Sequence, residues 1–181
     1  MQTIAIPDWL DFPDIDKPYV EQIFERREPK VSPRRTHARL QMRLSAALDS
    51  WAGDRGEVGT EWRCYLIEGE ERPSSLVPDV SYFSFKRLPR TLPDDARERP
   101  RIAPDIAVEV LSPQDRRRTL DQKIALYLQH GSLVVIVADP AKRTLTMHRT
   151  NGSISLDAQG RVAVAPYDDL VLDFDALFRG I

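Results

Sequence analysis

RIAPDIAVEVLSPQDRRRTLDQKIALYLQHGSLVVIVADP, residues 101–140, decides how this chain folds. Its first apolar run, Ile106, Ala107, Val108, Val110 and Leu111, is interrupted by a single acid, Glu109. A turn at Ser112-Pro113 follows. Leu120, Ile124, Ala125 and Leu128 then recur at helical spacing, predicting a helix over 119–129 that carries Lys123, with Gly131 where a C-cap glycine belongs. A second apolar run covers 134–138. The order strand, turn, helix, strand predicts a βαβ-like unit. A carboxylate inside a core strand is costly to bury alone, so Glu109 requires a positive partner: a metal ion, a lysine or an arginine.

Outward from this unit the pattern is that of one α/β (α+β) domain. Leu40, Leu44, Ala47, Leu48 and Trp51 predict an amphipathic helix from Thr36 to near Gly53, capped by Thr36 or Ser32 and entered through Arg34, Arg35, Arg39 and Arg43. Residues 57–66 read as a strand, and 76–83 as a second one with Asp79 at its start. The proline- and arginine-rich stretch 86–103 reads as a long exposed loop. Asn151-Gly152 predicts a hairpin joining 144–148 to 153–156, and 170–178 a short strand with a closing helical turn. Residues 19–26 suit one or two helical turns. Residues 1–20, with Trp9, Leu10 and Phe12 as anchors, read as an arm lying on the surface or on a second subunit. The domain itself is then 21–181.

Composition excludes more than it selects. A chain of 181 residues can bury a substantial single core. A net charge of −2 gives no global attraction to nucleic acid. Cys64 is the single cysteine, which excludes an internal disulfide and a cysteine-rich zinc site. The acidic start has no secretory pattern and no apolar run reaches membrane-spanning length, so a cytoplasmic location is expected.

Asp79, Glu109 and Lys123 form the constellation with chemical potential. If the two acids lie on neighbouring strands, they repel unless a cation intervenes. A hard divalent ion such as Mg²⁺ favours carboxylate oxygens and retains waters, one of which can attack a phosphodiester. Lys123 could reach the site from the helix. Strand alternation places Glu109 on one face with Ala107, Asp105 and Leu111, but Asp105 is about 13 Å away along the strand and is at most supporting. Tyr127, one helical turn after Lys123, suits the core or a supporting hydrogen bond. The purely structural alternatives are an Asp79 turn cap and a Glu109–Lys123 salt bridge without catalysis.

VPDVSYF, PDIAVEVLSP, the arginine-rich turn, DQKIALYLQHG and VVIVADP together resemble the Uma family of restriction endonucleases, within the PD-(D/E)XK nuclease superfamily. The resemblance runs from PKVSPRRTHARL to FDALF. It implies a restriction-endonuclease-like central mixed sheet flanked by helices, an Mg²⁺ (or Mn²⁺) site at Asp79 and Glu109, and DNA as substrate. Where the superfamily pattern has lysine, two residues after the acid, this chain has Leu111, and Lys123 matches the displaced lysine. An acid from the first region often completes such sites, and Glu25, Glu28 and Glu61 are the candidates. His37 matches a position often histidine in the family. Beside such a site Arg116, Arg117 and Arg118 become a phosphate clamp, extended by Arg34 and Arg35. A homodimer would serve cleavage of both strands. The alternative is a catalytically silent nucleic-acid-binding or regulatory protein on the same fold.

Overall fold

The computed structural model describes residues 5–7, 9–10, 19–30, 34–67, 69, 73–157 and 160–181. At its centre, β7 (Ile106–Val110) and β8 (Val134–Asp139) run parallel, joined by α3 (Arg117–Gln129). The βαβ unit is therefore present. The remaining strands of this six-stranded sheet are antiparallel: β6 (Val80–Ser84) and β3 (Gly56–Thr60) extend it past β7, while β9 (Thr144–Arg149) and β10 (Gly152–Asp157) extend it past β8. Gly152, at φ 129°, takes the hairpin turn that an L side chain would resist. The fold is mixed α+β, a large mixed sheet flanked by helices.

Strand alternation sorts β7 onto two cores. Ile106, Val108 and Val110 face α1 (Arg35–Ala52), whose Leu40, Leu44 and Leu48 are fully buried against the sheet. The same face is closed by β11 (Arg161–Val164), β12 (Tyr167–Asp173) and α4 (Phe174–Phe178). Ala107 faces α3 on the other side, together with Phe83, Val135 and Val137. Glu109, two residues on, shares that side.

A second sheet, of four antiparallel strands, joins this other core. Its order is β2 (Arg26–Pro29), β1 (Val20–Ile23), β5 (Ser74–Leu76), β4 (Cys64–Leu66). Its Ile23, Cys64, Leu66 and Leu76 pack with Ile124, Leu126 and Tyr127 of α3. Cys64 is buried, and burial pushes its thiol up to about 12, as suits a small core residue.

Several sequence expectations change here. Residues 19–26 form strand β1 and the turn into β2, not helical turns, because Glu21 and Ile23 alternate with Val20 and Gln22 across a sheet. The strands expected at 57–66 and 76–83 each divide between the two sheets. Glu61, at φ 52°, turns the chain from β3 to β4, and Val77-Pro78-Asp79 makes the corner from β5 to β6. The stretch 86–103 is not merely an exposed loop: it contains α2 (Asp94–Glu98), buries Leu88 and Ala103, and takes hydrogen bonds from Tyr65 N to Pro100 O and from Trp62 Nε1 to Glu98 O. Thr36 does not cap α1. Arg34 holds the N-cap position without a side-chain cap, Thr36 lies inside the helix, and Ser32 falls outside the described residues. Of the arm's anchors, Leu10 is buried with Tyr65 and Ile67, Trp9 is exposed, and Phe12 is outside the described residues. Among the described residues no helix is long and apolar enough to cross a membrane.

Candidate active site

The corner at Val77-Pro78-Asp79 leaves backbone groups that no strand can satisfy, and side chains fill the gap. The β6–β7 ladder ends at Val80 opposite Val108, so the Val110 N–H has no partner on β6. Asp79 Oδ2 accepts it at 2.6 Å. Val77 N–H donates to Glu21 Oε1 at 2.7 Å, Lys30 Nζ donates to Val77 O at 2.6 Å, and Gln41 Nε2 donates to Asp79 O at 2.9 Å. Proline at 78 has no N–H to leave unsatisfied. A buried corner of this kind is stable only when its polar groups are all met.

From β7, Glu109 points at α3. Its Oε2 accepts from Lys123 Nζ at 2.7 Å and its Oε1 from the Tyr127 hydroxyl at 2.9 Å. Lys123 Nζ also lies 2.9 Å from Glu21 Oε1. Lys123 and Tyr127 are one turn apart and both buried, so the inward face of α3 is Lys123, Ile124, Leu126 and Tyr127. The apolar stripe read from the sequence is rotated relative to this face: Ala125 is exposed and Leu120 and Leu128 are only partly covered. The buried acid across the way draws the lysine inward.

Lys30 Nζ stands 2.7 Å from Asp79 Oδ1, a close charge-assisted contact. His37 Nε2, from the first turn of α1, lies 3.3 Å from Asp79 Oδ2, and its Nδ1 is buried without a partner. Glu21, Asp79 and Glu109 thus face Lys30 and Lys123, leaving one negative charge in excess. All five line a cavity of about 310 Å³, together with His37, Glu28 and the turn Leu111–Arg116.

The protonation tendencies follow from these contacts. Burial acts most strongly on the Glu109 carboxyl and drives it up; Lys123 and Lys30 pull it down, Asp79 and Glu21 push it up, and the balance lies at about 7. Burial also acts on Asp79, but Lys30 and His37 overcome it and hold that carboxyl well below the usual range. Lys123 loses some basicity to burial and regains more from Glu109 and Glu21, so its amine stays protonated above its ordinary value.

Asp79, Glu109 and Lys123 therefore converge, with Tyr127 and His37 against them. Asp105 does not join them. It sits at the far end of β7, where Oδ2 accepts from Ser84 N at 2.9 Å and Oδ1 lies 3.7 Å from Arg87. Of the acids considered from the first region, Glu28 lines the cavity, Glu25 is exposed, and Glu61 borders a separate groove beside α1. The acid that completes the cluster is Glu21, and Lys30 accompanies it. Glu21 comes from the segment read as helical turns, and Lys30 from just beyond it. Val20 and Ile23 stand three apart with two polar residues between them, so no alternation in the sequence marked Glu21. Arg116 lines the cavity mouth, Arg117 pairs with Asp121 at 2.9 Å, and Arg118, Arg34 and Arg35 are exposed.

The family model for Uma2, described as "Putative restriction endonuclease", matches residues 8–170. No curated protein matches the chain. Among solved structures, one from Anabaena variabilis, described as "a putative nuclease belonging to DUF820", is similar, with 26% identity and a TM-score of 0.81. The match covers 94% of this chain and 95% of that one. With the family match spanning nearly the whole domain, the chain belongs to the Uma2 restriction-endonuclease family.

Proposed function

We propose that this protein is a metal-dependent endonuclease that hydrolyses phosphodiester bonds in DNA. The observation that carries the reading is the shared cavity, in which Asp79, Glu109, Glu21 and Lys123 converge. The donor set suits a divalent cation: hard carboxylate oxygens, three acids against two lysines, and an Asp79 Oδ1 whose partner is a single lysine ammonium. Among the described residues no group of three acids or histidines is already arranged as a metal cluster. Asp79 and Glu109 would therefore hold the ion as a pair, with Mg²⁺ or Mn²⁺ as the fitting ions. Once bound, such an ion acidifies a water and neutralises charge at the phosphate.

The chain's own groups have separable tasks. Lys123, kept protonated by two carboxylates, is a donor to developing phosphate charge and an orienter of the attacking water. It is not suited to removing that water's proton. Glu109, whose carboxyl burial pushes up to about 7, would be held ionised by the cation it ligates. Tyr127 and Glu21 fix the positions of Glu109 and Lys123. Arg116 at the mouth can meet a backbone phosphate, with Arg118 beside it.

A silent binding module is the rival reading, favoured by the internal pairing of every carboxylate with a lysine. Plasmid cleavage with Mg²⁺, Mn²⁺ or EDTA separates the two. Asp79→Asn, Glu109→Gln and Lys123→Met should each abolish metal-dependent cutting. If the first two cut as wild type does, the assignment of Asp79 and Glu109 is wrong; if wild type cuts with neither Mg²⁺ nor Mn²⁺, the endonuclease reading is.

A further inference from the structure

We infer that Lys30 is a resident counter-ion of Asp79 that sets the metal affinity of the site: a divalent cation reaches Asp79 Oδ1 only by displacing the Lys30 ammonium. The inference rests on the metal-dependent reading above. Asp79 uses its two oxygens differently. Oδ2 is engaged by Val110 N–H at 2.6 Å and faced by His37 at 3.3 Å, so it serves the fold. Oδ1 has the Lys30 ammonium, 2.7 Å away, as its partner. A cation ligated by Oδ1 would have to share that space with an ammonium, and two positive charges so close repel strongly in a buried site.

The two lysines of the cluster differ in their freedom to leave. Lys123 is clamped between Glu109 and Glu21, and its side chain is 7% exposed. Lys30 faces one carboxylate, has a main-chain carbonyl as its hydrogen-bond acceptor, and is 13% exposed along the cavity wall. Its backbone is fixed independently, since Lys30 N donates to Tyr19 O at 2.7 Å where the β1–β2 hairpin closes. The hairpin therefore stays closed when the side chain swings into the cavity, and Val77 O must exchange the ammonium for cavity water. Lys123 stays when the cation arrives, and Lys30 moves.

Two measurements test this. Calorimetric titration with Mn²⁺ should show Lys30→Met binding at least about tenfold more tightly than wild type, the size of a lost competing ion pair, while Lys30→Arg keeps the weaker affinity. In wild type, acetylation by an N-hydroxysuccinimide ester, mapped by peptide mass, should rise several-fold at Lys30 when Mn²⁺ saturates the site, with Lys123 still protected. Wild type that binds Mn²⁺ while Lys30→Met binds no more tightly overturns the role of Lys30 and leaves the metal site standing. Absence of Mn²⁺ binding in both overturns the metal-dependent reading and this inference with it. Should Lys30→Met fail to fold, the labelling decides alone, and unchanged labelling at saturating Mn²⁺ overturns the inference.

Discussion

Asp79 substitutes for a missing strand residue beside Val110: its carboxylate accepts, at 2.6 Å, the N–H that the end of β6 leaves without a ladder partner. The same carboxylate faces the cavity. Fold and proposed chemistry therefore compete for one side chain, which bears on how the site should be probed.

Asp79→Ala is expected to destabilise the protein more than Asp79→Asn, by about 1–3 kcal/mol, because alanine strands a buried N–H that an asparagine oxygen still satisfies. Urea unfolding in chelator measures the difference. Equal midpoints would mean that water replaces the carboxylate. An alanine variant is thus a poor test of catalysis here, since lost activity could follow from lost structure.

Glu109 sets a pH dependence with a definite sign. Its folded carboxyl lies near 7 against an ordinary 4.5, so the folded state keeps a proton that the unfolded chain has already released. The stability this contributes is fully present below about pH 4.5 and is lost as pH rises through about 7, a change on the order of 3 kcal/mol at most. Asp79 has the opposite sign: its carboxyl is held below the ordinary 3.8, so its contribution is present above that pH and lost only in stronger acid. In metal-free buffer, Glu109→Gln should flatten the stability profile between pH 4.5 and 7. A Glu109→Gln profile as steep as wild type would assign the slope to another group.

Glu21→Gln should keep the fold, because the amide oxygen can still accept Val77 N–H, yet lower cleavage about 10–100-fold by loosening Lys123. Cleavage rates alongside circular dichroism check this. Unchanged cleavage would confine Glu21 to holding the corner.

Tyr127→Phe removes the hydroxyl that donates to Glu109 Oε1. A loss of about 1.5–3 kcal/mol is expected, typical of a buried hydrogen bond to a charged acceptor. The pH–rate profile should shift to higher pH as Glu109 loses a donor that favours its ionised form. A variant with wild-type stability and profile would reduce Tyr127 to core packing.

Arg116→Ala should weaken DNA binding and reduce the slope of log K against log salt by about one, with little effect on saturated cleavage. Fluorescence anisotropy on a labelled duplex across a salt series reads the slope. Arg117→Ala, whose guanidinium is already paired with Asp121, should change it less.

The sequence by itself determined the parts written in periodic patterns. The apolar runs around Glu109 and Val135 required buried neighbouring strands, the spacing of Leu40, Leu44 and Leu48 required a helix on them, and one acid in a core strand announced that a cation must face it. The sequence also offered Lys123 as that cation; tertiary structure alone decided that Lys30 and Glu21 join the cluster. Glu21 and Lys30 lie far along the chain from Asp79, Glu109 and Lys123, and only the pairing of β1 with β5 brings them to the corner at Pro78. Lys123, by contrast, was legible as a partner for Glu109, although an apolar stripe alone counts a lysine as a surface residue. The physical reason is common to these cases: periodicity records the burial of apolar groups, whereas a buried charge is stable only through a partner that the fold, and not the neighbouring sequence, supplies.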